Sequence, residues 1–210
     1  MSRGASPAGV RAARRRLRSP ARLILIAGPS GAGKDTLLDA ARAHFKDRPE
    51  YVFSERVITR ADQTGEKHEA VSEAAFSRMA GEGAFFLAWE AHGLSYGIPA
   101  SVLDDLAAGK TVIVSVSRHA IGEARRKWAR THVLYITAAK QVRRQRLIVR
   151  GRESEERIAE RLERADIYGR IEAAWITRLD NSGDLASGIA RFIAAIERAS
   201  NASGPRGEAS

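Results

Sequence analysis

Cysteine is absent from all 210 residues, which excludes a disulfide framework, a cysteine-ligated zinc and an iron–sulfur centre. Histidine and carboxylate ligands stay open. No apolar run approaches the ~20 residues that cross a bilayer, so a soluble, cytoplasmic protein with no membrane partner is expected. Acidic residues are missing from the first 22 positions, where Arg3, Arg11, Arg14, Arg15, Arg16, Arg18 and Arg22 carry +7 of the formal +10 charge. Only +3 is left for the rest of the chain, and a nucleic-acid partner, which would rest on that tail alone, is not expected. Residues 1–21, too poor in apolar side chains to bury a core, read as a disordered basic extension, with an organellar transit peptide as the alternative. Residues 199–210 read as a second disordered tail. The chain as a whole is 44% hydrophobic and 29% charged, the proportions of a globular protein, and one domain over residues 22–198 is expected.

Within that span, short wholly apolar runs alternate with segments of helical period. This is the pattern of a parallel sheet covered on both faces. Leu23 to Ala27, Thr111 to Val114 and Val133 to Ile136 read as strands. Lys34 to Phe45, Ala139 to Val149, Glu155 to Tyr168 and Asp184 to Ala199 read as helices. Right-handed crossovers between them predict a doubly wound α/β sheet. Residues 59–98 break the alternation with a polar stretch, a helix opened by Ser72 and the aromatic run Phe85 to Trp89, and are expected to form an acceptor-binding insert. Residues 146–161, in an arginine-dense stretch, are expected to form a lid.

The most informative stretch is Gly28-Pro29-Ser30-Gly31-Ala32-Gly33-Lys34, a glycine-rich loop that follows an apolar strand and opens a helix. Glycines let successive N–H groups turn toward phosphate oxygens, the helix N-terminus adds its positive dipole end, and Lys34 brings a point charge to the β- and γ-phosphates. A tight turn alone would need a glycine or two but no lysine. The Ser or Thr that usually follows the lysine and holds Mg²⁺ is replaced by Asp35, with Thr36 next. A hard cation accepts either oxygen, so both remain candidate Mg²⁺ ligands.

At these residues the chain resembles the guanylate kinase family and, within it, the ribose 1,5-bisphosphate kinases. The resemblance rests on the glycine-rich loop, Thr59-Arg60 with Gly65-Glu66, Trp89, Tyr96-Gly97, the run Arg146 to Glu156, and Arg161-Leu162. It implies a P-loop kinase fold, ATP as phosphoryl donor and Mg²⁺ as cofactor, with the loop residues Gly28 to Thr36 around ATP. It further implies that Arg146, Arg150 and Arg161 are lid arginines at ATP, with Lys34, Arg146 and Arg150 acting on the transferring group. Arg60, Glu66, Tyr96, Arg118 and Arg161 form the implied acceptor set, in which Arg60 and Tyr96 grip the acceptor phosphate. Arginine suits that task because its planar fork bonds two phosphate oxygens at once. Trp89 is expected to pack in the core, and Arg143 and Arg144 to lie on a solvated face.

The departures bear on the acceptor. Guanylate kinases carry a Glu before the Trp and an Asp-x-Asp at a strand end, whereas this chain has Ala88 and Ser115-Val116-Ser117, and Gln63 replaces a second phosphate-gripping arginine. A guanine pocket stripped of acceptors loses discrimination, since each unmade polar contact costs ~1–3 kcal/mol. Lys34-Asp35 and Ser117-Arg118 resemble instead the ribose bisphosphate kinases, which implies transfer from ATP to the 1-phosphate of ribose 1,5-bisphosphate, giving phosphoribosyl diphosphate in phosphonate catabolism. Arg118 then holds the 5-phosphate, or else caps the following helix or faces solvent. The expected partners are ATP and a sugar bisphosphate, with a homodimer allowed. The competing readings are a guanylate or other nucleoside monophosphate kinase, a non-catalytic binding module, and a nucleic-acid binder that depends on the tail.

Overall fold

A computed structural model describes residues 21–60, 67–91, 93–151, 154–166 and 173–202. The basic tail before Ala21, Gln63, Gly65, Glu66, His92, Arg152, Glu153 and the residues after 202 lie outside the described residues. The central sheet is built from β1 (Arg22–Ala27), β2 (Tyr51–Phe53), β7 (Thr111–Ser115), β8 (Thr131–Thr137) and β9 (Ile176–Asp180). Its order is β2-β7-β1-β8-β9 and every pairing is parallel. From β1 the chain crosses to the edge strand β2, returns to β7 beside β1, and then passes to β8 and β9 on the other side, so β1 lies where the two halves of the sheet meet and where ligands of such sheets bind at the strand C-termini.

The burial of β1 explains why its sequence is apolar throughout rather than alternating. Leu23, Leu25 and Ala27 enter one core cluster together with Val102, Leu106, Ile121 and Ala124, which come from α3 (Val102–Ala107) and α4 (Ile121–Lys127). Ile24 and Ile26 enter a second with Leu37, Leu38, Ala41, Phe192 and Ile196, from α1 (Lys34–His44) and α7 (Leu185–Asn201). Successive residues of a strand point to opposite faces, so two separate clusters mean helices on both faces, the doubly wound arrangement the sequence predicts. The ends of α7 differ from expectation. Asp184 is its N-cap, accepting from Ser187 N–H, a bond that holds its carboxyl below the usual range. At the other end the helix runs through Ala199 and Ser200, both buried, to Asn201, because the Tyr51 and Ser200 hydroxyls meet at 3.0 Å. The second tail therefore does not begin at 199.

The insert is a small sheet of its own. It contains β3 (Arg56–Ile58), β4 (His68–Ala70), β5 (Phe85–Ala91) and β6 (Leu94–Pro99) in the order β4-β3-β6-β5, with α2 (Glu73–Gly81) leading into β5. Its first strand starts at Arg56, three residues ahead of the expected boundary, since Val57 and Ile58 pair antiparallel with Gly97 and Tyr96. Ser72 caps α2 by accepting from Ala75 N–H, as its sequence position predicts. The segment expected to form a lid falls within two helices, α5 (Lys140–Arg150) and α6 (Glu155–Asp166), which share an apolar cluster of Leu147, Ile158 and Leu162. No helix among the described residues is long and apolar enough to cross a membrane.

Candidate active site

The P-loop is shaped by what stands behind it. Gly28 has φ +147°, and a Cβ there would lie 2.1 Å from the Ile136 carbonyl oxygen of β8, so the loop can approach the sheet only without a side chain. Gly33, at φ +87°, is the N-cap of α1 and has no capping side chain. The helix N-terminus is thus left to face the loop with unsatisfied N–H groups. Lys34 Nζ donates to the carbonyls of Gly28 at 2.9 Å and Pro29 at 3.2 Å, which folds its charge back over the loop.

Three lid arginines converge on this loop. Arg161 donates to Ser30 Oγ at 2.6 Å, Arg150 pairs with Asp35 Oδ2 at 3.2 Å, and Arg146 donates to the Asn181 carbonyl at 2.9 Å while lying 3.5 Å from the Gly31 and Ala32 carbonyls. Arg146 and Arg150 stand four residues apart on α5 and so share a face, which Arg161 of α6 joins at the loop and the first turn of α1. Arg143 corrects a sequence expectation, because it is buried and donates from Nε to the Ala138 carbonyl at 3.0 Å. It packs where α5 meets the loop, and a Cβ on Gly31 would stand 2.8 Å from its carbonyl oxygen. Arg144 is exposed and pairs with Glu155 at 2.8 Å, as a solvated face requires.

Beside Lys34 opens a cleft of about 460 Å³ with four walls. The P-loop gives Gly28, Pro29, Ser30 and Lys34; the end of β7 gives Ser115, Val116, Ser117, Arg118 and His119; the small sheet gives Arg56, Trp89, Glu90, Ala91 and Tyr96; the lid gives Arg161. Lys34, Tyr96, Arg118 and Arg161 from the expected set are therefore brought together. Arg118 opens a 3₁₀ turn whose N-cap is Ser117, accepting from His119 N–H, so the capping belongs to Ser117 and not to Arg118. Arg60 is half-buried beyond the end of β3 and does not line the cleft, whereas Arg56, which sequence reasoning passed over, does. The Trp89 ring stacks on Tyr96 at 5.5 Å and 5° and packs on the core while also lining the cleft, so core packing describes one of its faces.

A second cleft of about 460 Å³ lies across the loop, lined by Gly31, Gly33, Thr36, Gln145, Arg146, Val149, Arg150, Asn181 and Leu185. Val149 and Leu185, both in its lining, expose 82% and 52% of their surface. Asn181 is a further residue the sequence reading missed. It is buried, its amide donates to the Ala32 carbonyl at 2.8 Å, and its Oδ1 has no hydrogen-bond partner among the described residues. It ties the P-loop to the β9 end, and Gly188 leaves it room, since a Cβ there would lie 2.4 Å from Oδ1.

Comparison with known proteins agrees with this geometry. The family described as guanylate kinase matches residues 20–175. A protein named ribose 1,5-bisphosphate phosphokinase from Brucella melitensis is 43% identical over 171 residues, covering 81% of this chain and 88% of that protein. One of the same name from Agrobacterium fabrum is 42% identical over 186 residues, covering 87% of this chain and 100% of that protein. A third, from Acidiphilium cryptum, is 50% identical over 144 residues, covering 69% and 77%. Among solved structures, guanylate kinase from Anaplasma phagocytophilum superposes with a TM-score of 0.63 at 18% identity, covering 89% of each chain, a likeness of fold. The chain belongs to the guanylate kinase family, in company with the proteins named ribose 1,5-bisphosphate phosphokinase.

Proposed function

We propose that this chain transfers the γ-phosphoryl group of ATP to the 1-phosphate of ribose 1,5-bisphosphate, giving 5-phospho-α-D-ribose 1-diphosphate and ADP. The observation that carries the reading is the charge of the cleft beside the P-loop. Among the described residues, Lys34, Arg56, Arg118 and Arg161 line it against one carboxylate, Glu90, and Ser115 and Ser117 stand where a guanine reader would need acids. Such a cleft suits an acceptor with two phosphates. The names of the relatives at 42–50% identity support the same acceptor.

An oxygen of the 1-phosphate, already ionised at neutral pH, attacks the γ-phosphorus. The bond from that phosphorus to the β–γ bridging oxygen breaks, and ADP leaves with the electron pair. No general base is needed, so His119, which lines the cleft, has no proton to take. Catalysis then rests on positioning and on cations set where charge spreads. Lys34 meets the β- and γ-phosphates, Arg146 and Arg150 hold the donor from the lid, and the second cleft, with the apolar Val149 and Leu185 in its lining, takes the adenine. Lid closure keeps water from the γ-phosphate. Both substrates are multiply charged and do not cross membranes unaided, and a cytoplasmic reaction, where ATP is at hand, fits that chemistry.

The chain fits Mg²⁺ through Asp35. Its carboxylate follows Lys34 in the first turn of α1, is partly exposed, and faces the lid through Arg150. Mg²⁺ typically binds one or two carboxylates plus substrate phosphates, so one such donor is sufficient. Thr36 is exposed on the second cleft. Bound there, Mg²⁺ would neutralise phosphate charge. Asp35→Ala is expected to raise the Mg²⁺ concentration for half-maximal rate several-fold with the unfolding temperature unchanged, measured by Mg²⁺ titration of ADP release. An unchanged titration passes the role to Thr36 or to water.

The direct test offers ribose 1,5-bisphosphate, GMP and other monophosphates in parallel, with ATP and Mg²⁺, and identifies the product. Arg118→Ala is expected to lower kcat/KM for ribose 1,5-bisphosphate ~10–10²-fold, since a charge-assisted phosphate bond contributes ~1.5–3 kcal/mol. The ATP dependence stays unchanged. Equal slowing of an acceptor that lacks the 5-phosphate would show that Arg118 does not read that group.

A further inference from the structure

We infer that Asn181 is a positioning residue for the phosphoryl donor: its side-chain amide holds the Ala32–Gly33 peptide of the P-loop in the orientation that turns the Gly33 N–H toward the donor's phosphates. The inference rests on the donor half of the reaction proposed above and is independent of the acceptor. Asn181 follows β9, and its own N–H donates to the Thr137 carbonyl of β8 at 2.8 Å, so its backbone is fixed to the C-terminal edge of the sheet. From there Nδ2 donates to the Ala32 carbonyl at 2.8 Å. A trans peptide carries its C=O and N–H on opposite sides, so an Ala32 carbonyl fixed on Asn181 leaves the Gly33 N–H pointing away from β9.

That peptide needs a hold from outside because nothing local supplies one. Glycine takes either sign of φ almost equally well, and Gly33, at +87°, can exchange signs by rotation of the peptide before it, which would swing the N–H to the wrong side. The space beside Gly33 belongs to the amide, since a Cβ there would lie 2.6 Å from Asn181 Nδ2. On the amide's other side stands α7, where a Cβ on Gly188 would lie 2.4 Å from Oδ1. Two glycines thus close around the amide and keep it aimed. The arrangement costs stability, because Asn181 is 3% exposed and its Oδ1 has no hydrogen-bond partner among the described residues. An apolar side chain would avoid that cost, so what the asparagine adds is its donor. The lid does not duplicate it. Arg146 Nη1 is 3.5 Å from the Ala32 carbonyl, while Nη2 donates to the backbone carbonyl of Asn181 at 2.9 Å, a bond that any residue at position 181 retains. A substitution at 181 therefore removes the hold on the loop and spares the hold on Arg146.

Asn181→Leu, close in volume and without a donor, separates this role from a structural one. The dissociation constant for ADP with Mg²⁺, measured by titration calorimetry in the absence of acceptor, is expected to rise ~10-fold or more, the scale of losing a hydrogen bond to an anion, and kcat/KM for ATP to fall in proportion. AMP, which lacks the phosphates that the loop cradles, should bind within about twofold of the parent, and KM for the acceptor should change as little, because Asn181 lines the second cleft and not the one beside Lys34. The unfolding temperature should stay within about 3 °C of the parent's, since the unpartnered oxygen leaves with the amide. Asn181→Ala adds no atoms and guards against overpacking by leucine; it should show the same split between ADP and AMP. Parental ADP affinity in either folded variant would overturn the proposal. An equal loss for AMP and ADP would overturn it as well, by showing that Asn181 serves the nucleoside and not the phosphate loop. A parent protein that fails to bind ADP would end the donor reading and this inference together, whereas the acceptor assay above can fail without touching either.

Discussion

Lys34→Ala is expected to lower kcat at least ~10²-fold, the scale of removing one preorganised electrostatic stabiliser. The structure gives the reason that neighbours do not replace it. Lys34 reaches the loop from inside, with Nζ on the Gly28 and Pro29 carbonyls, whereas Arg146, Arg150 and Arg161 reach the loop from the lid and contact its outer groups. In the transition state charge spreads over the transferring oxygens, and the ammonium exchanges two neutral carbonyl partners for anionic ones, so its bond strengthens as the reaction proceeds. The loss should therefore appear in kcat more than in KM for ATP. Lys34→Arg should not restore turnover, because a rigid fork cannot take the place of a compact ammonium against these two carbonyls. Steady-state ADP release, with circular dichroism to verify the fold, makes the measurement. Near-parental kcat in a folded Lys34→Ala protein would remove the P-loop from the mechanism.

Much of the fold was legible because its signals are local. The wholly apolar strands, the Ser72 cap and the glycine loop each follow from a few adjacent residues, and the structure has them within a residue or two of the expected places. The small sheet was harder to read. Its strands β3 and β4 have three residues each, too few to show a period, and their pairing joins segments dozens of residues apart. Arg56 hid there for the same reason. Only the register of β3 against β6 puts it beside Tyr96, while Arg60 stood inside a recognisable Thr-Arg pair. Arg143 and Asn181 were misread or missed because arginine in an arginine-rich helix looks solvated, and asparagine in Asp180-Asn181-Ser182-Gly183 looks like turn chemistry. Their burial comes from the packing of α5 and α7 around the loop, which no window of sequence contains.

The same packing makes Gly28→Ala the most damaging small substitution expected in the chain. Its Cβ would lie 2.1 Å from the Ile136 carbonyl oxygen and 3.0 Å from the carbonyl carbon, and both belong to backbone. β8 cannot withdraw, since it is paired on one side with β1 and on the other with β9. The loop must therefore move. At φ +147° an alanine is also strained on its own account, by ~1–3 kcal/mol, and overpacking adds ~1–3 kcal/mol. A destabilisation of about 3 kcal/mol lowers the unfolding temperature of a domain this size by roughly 6–12 °C. Turnover should fall further than stability suggests, because the Gly28 carbonyl is one of the two groups that place Lys34, and a shifted loop misplaces its N–H groups together. Gly183→Ala is the control, with no atom within 4 Å of its Cβ and no positive φ, and should stay within ~0.5 kcal/mol of the parent. Thermal unfolding and ADP release, measured on both variants, decide the matter. A Gly28→Ala protein that melts and turns over like the Gly183→Ala control would mean that the loop does not depend on the close approach to β8 that this structure gives it.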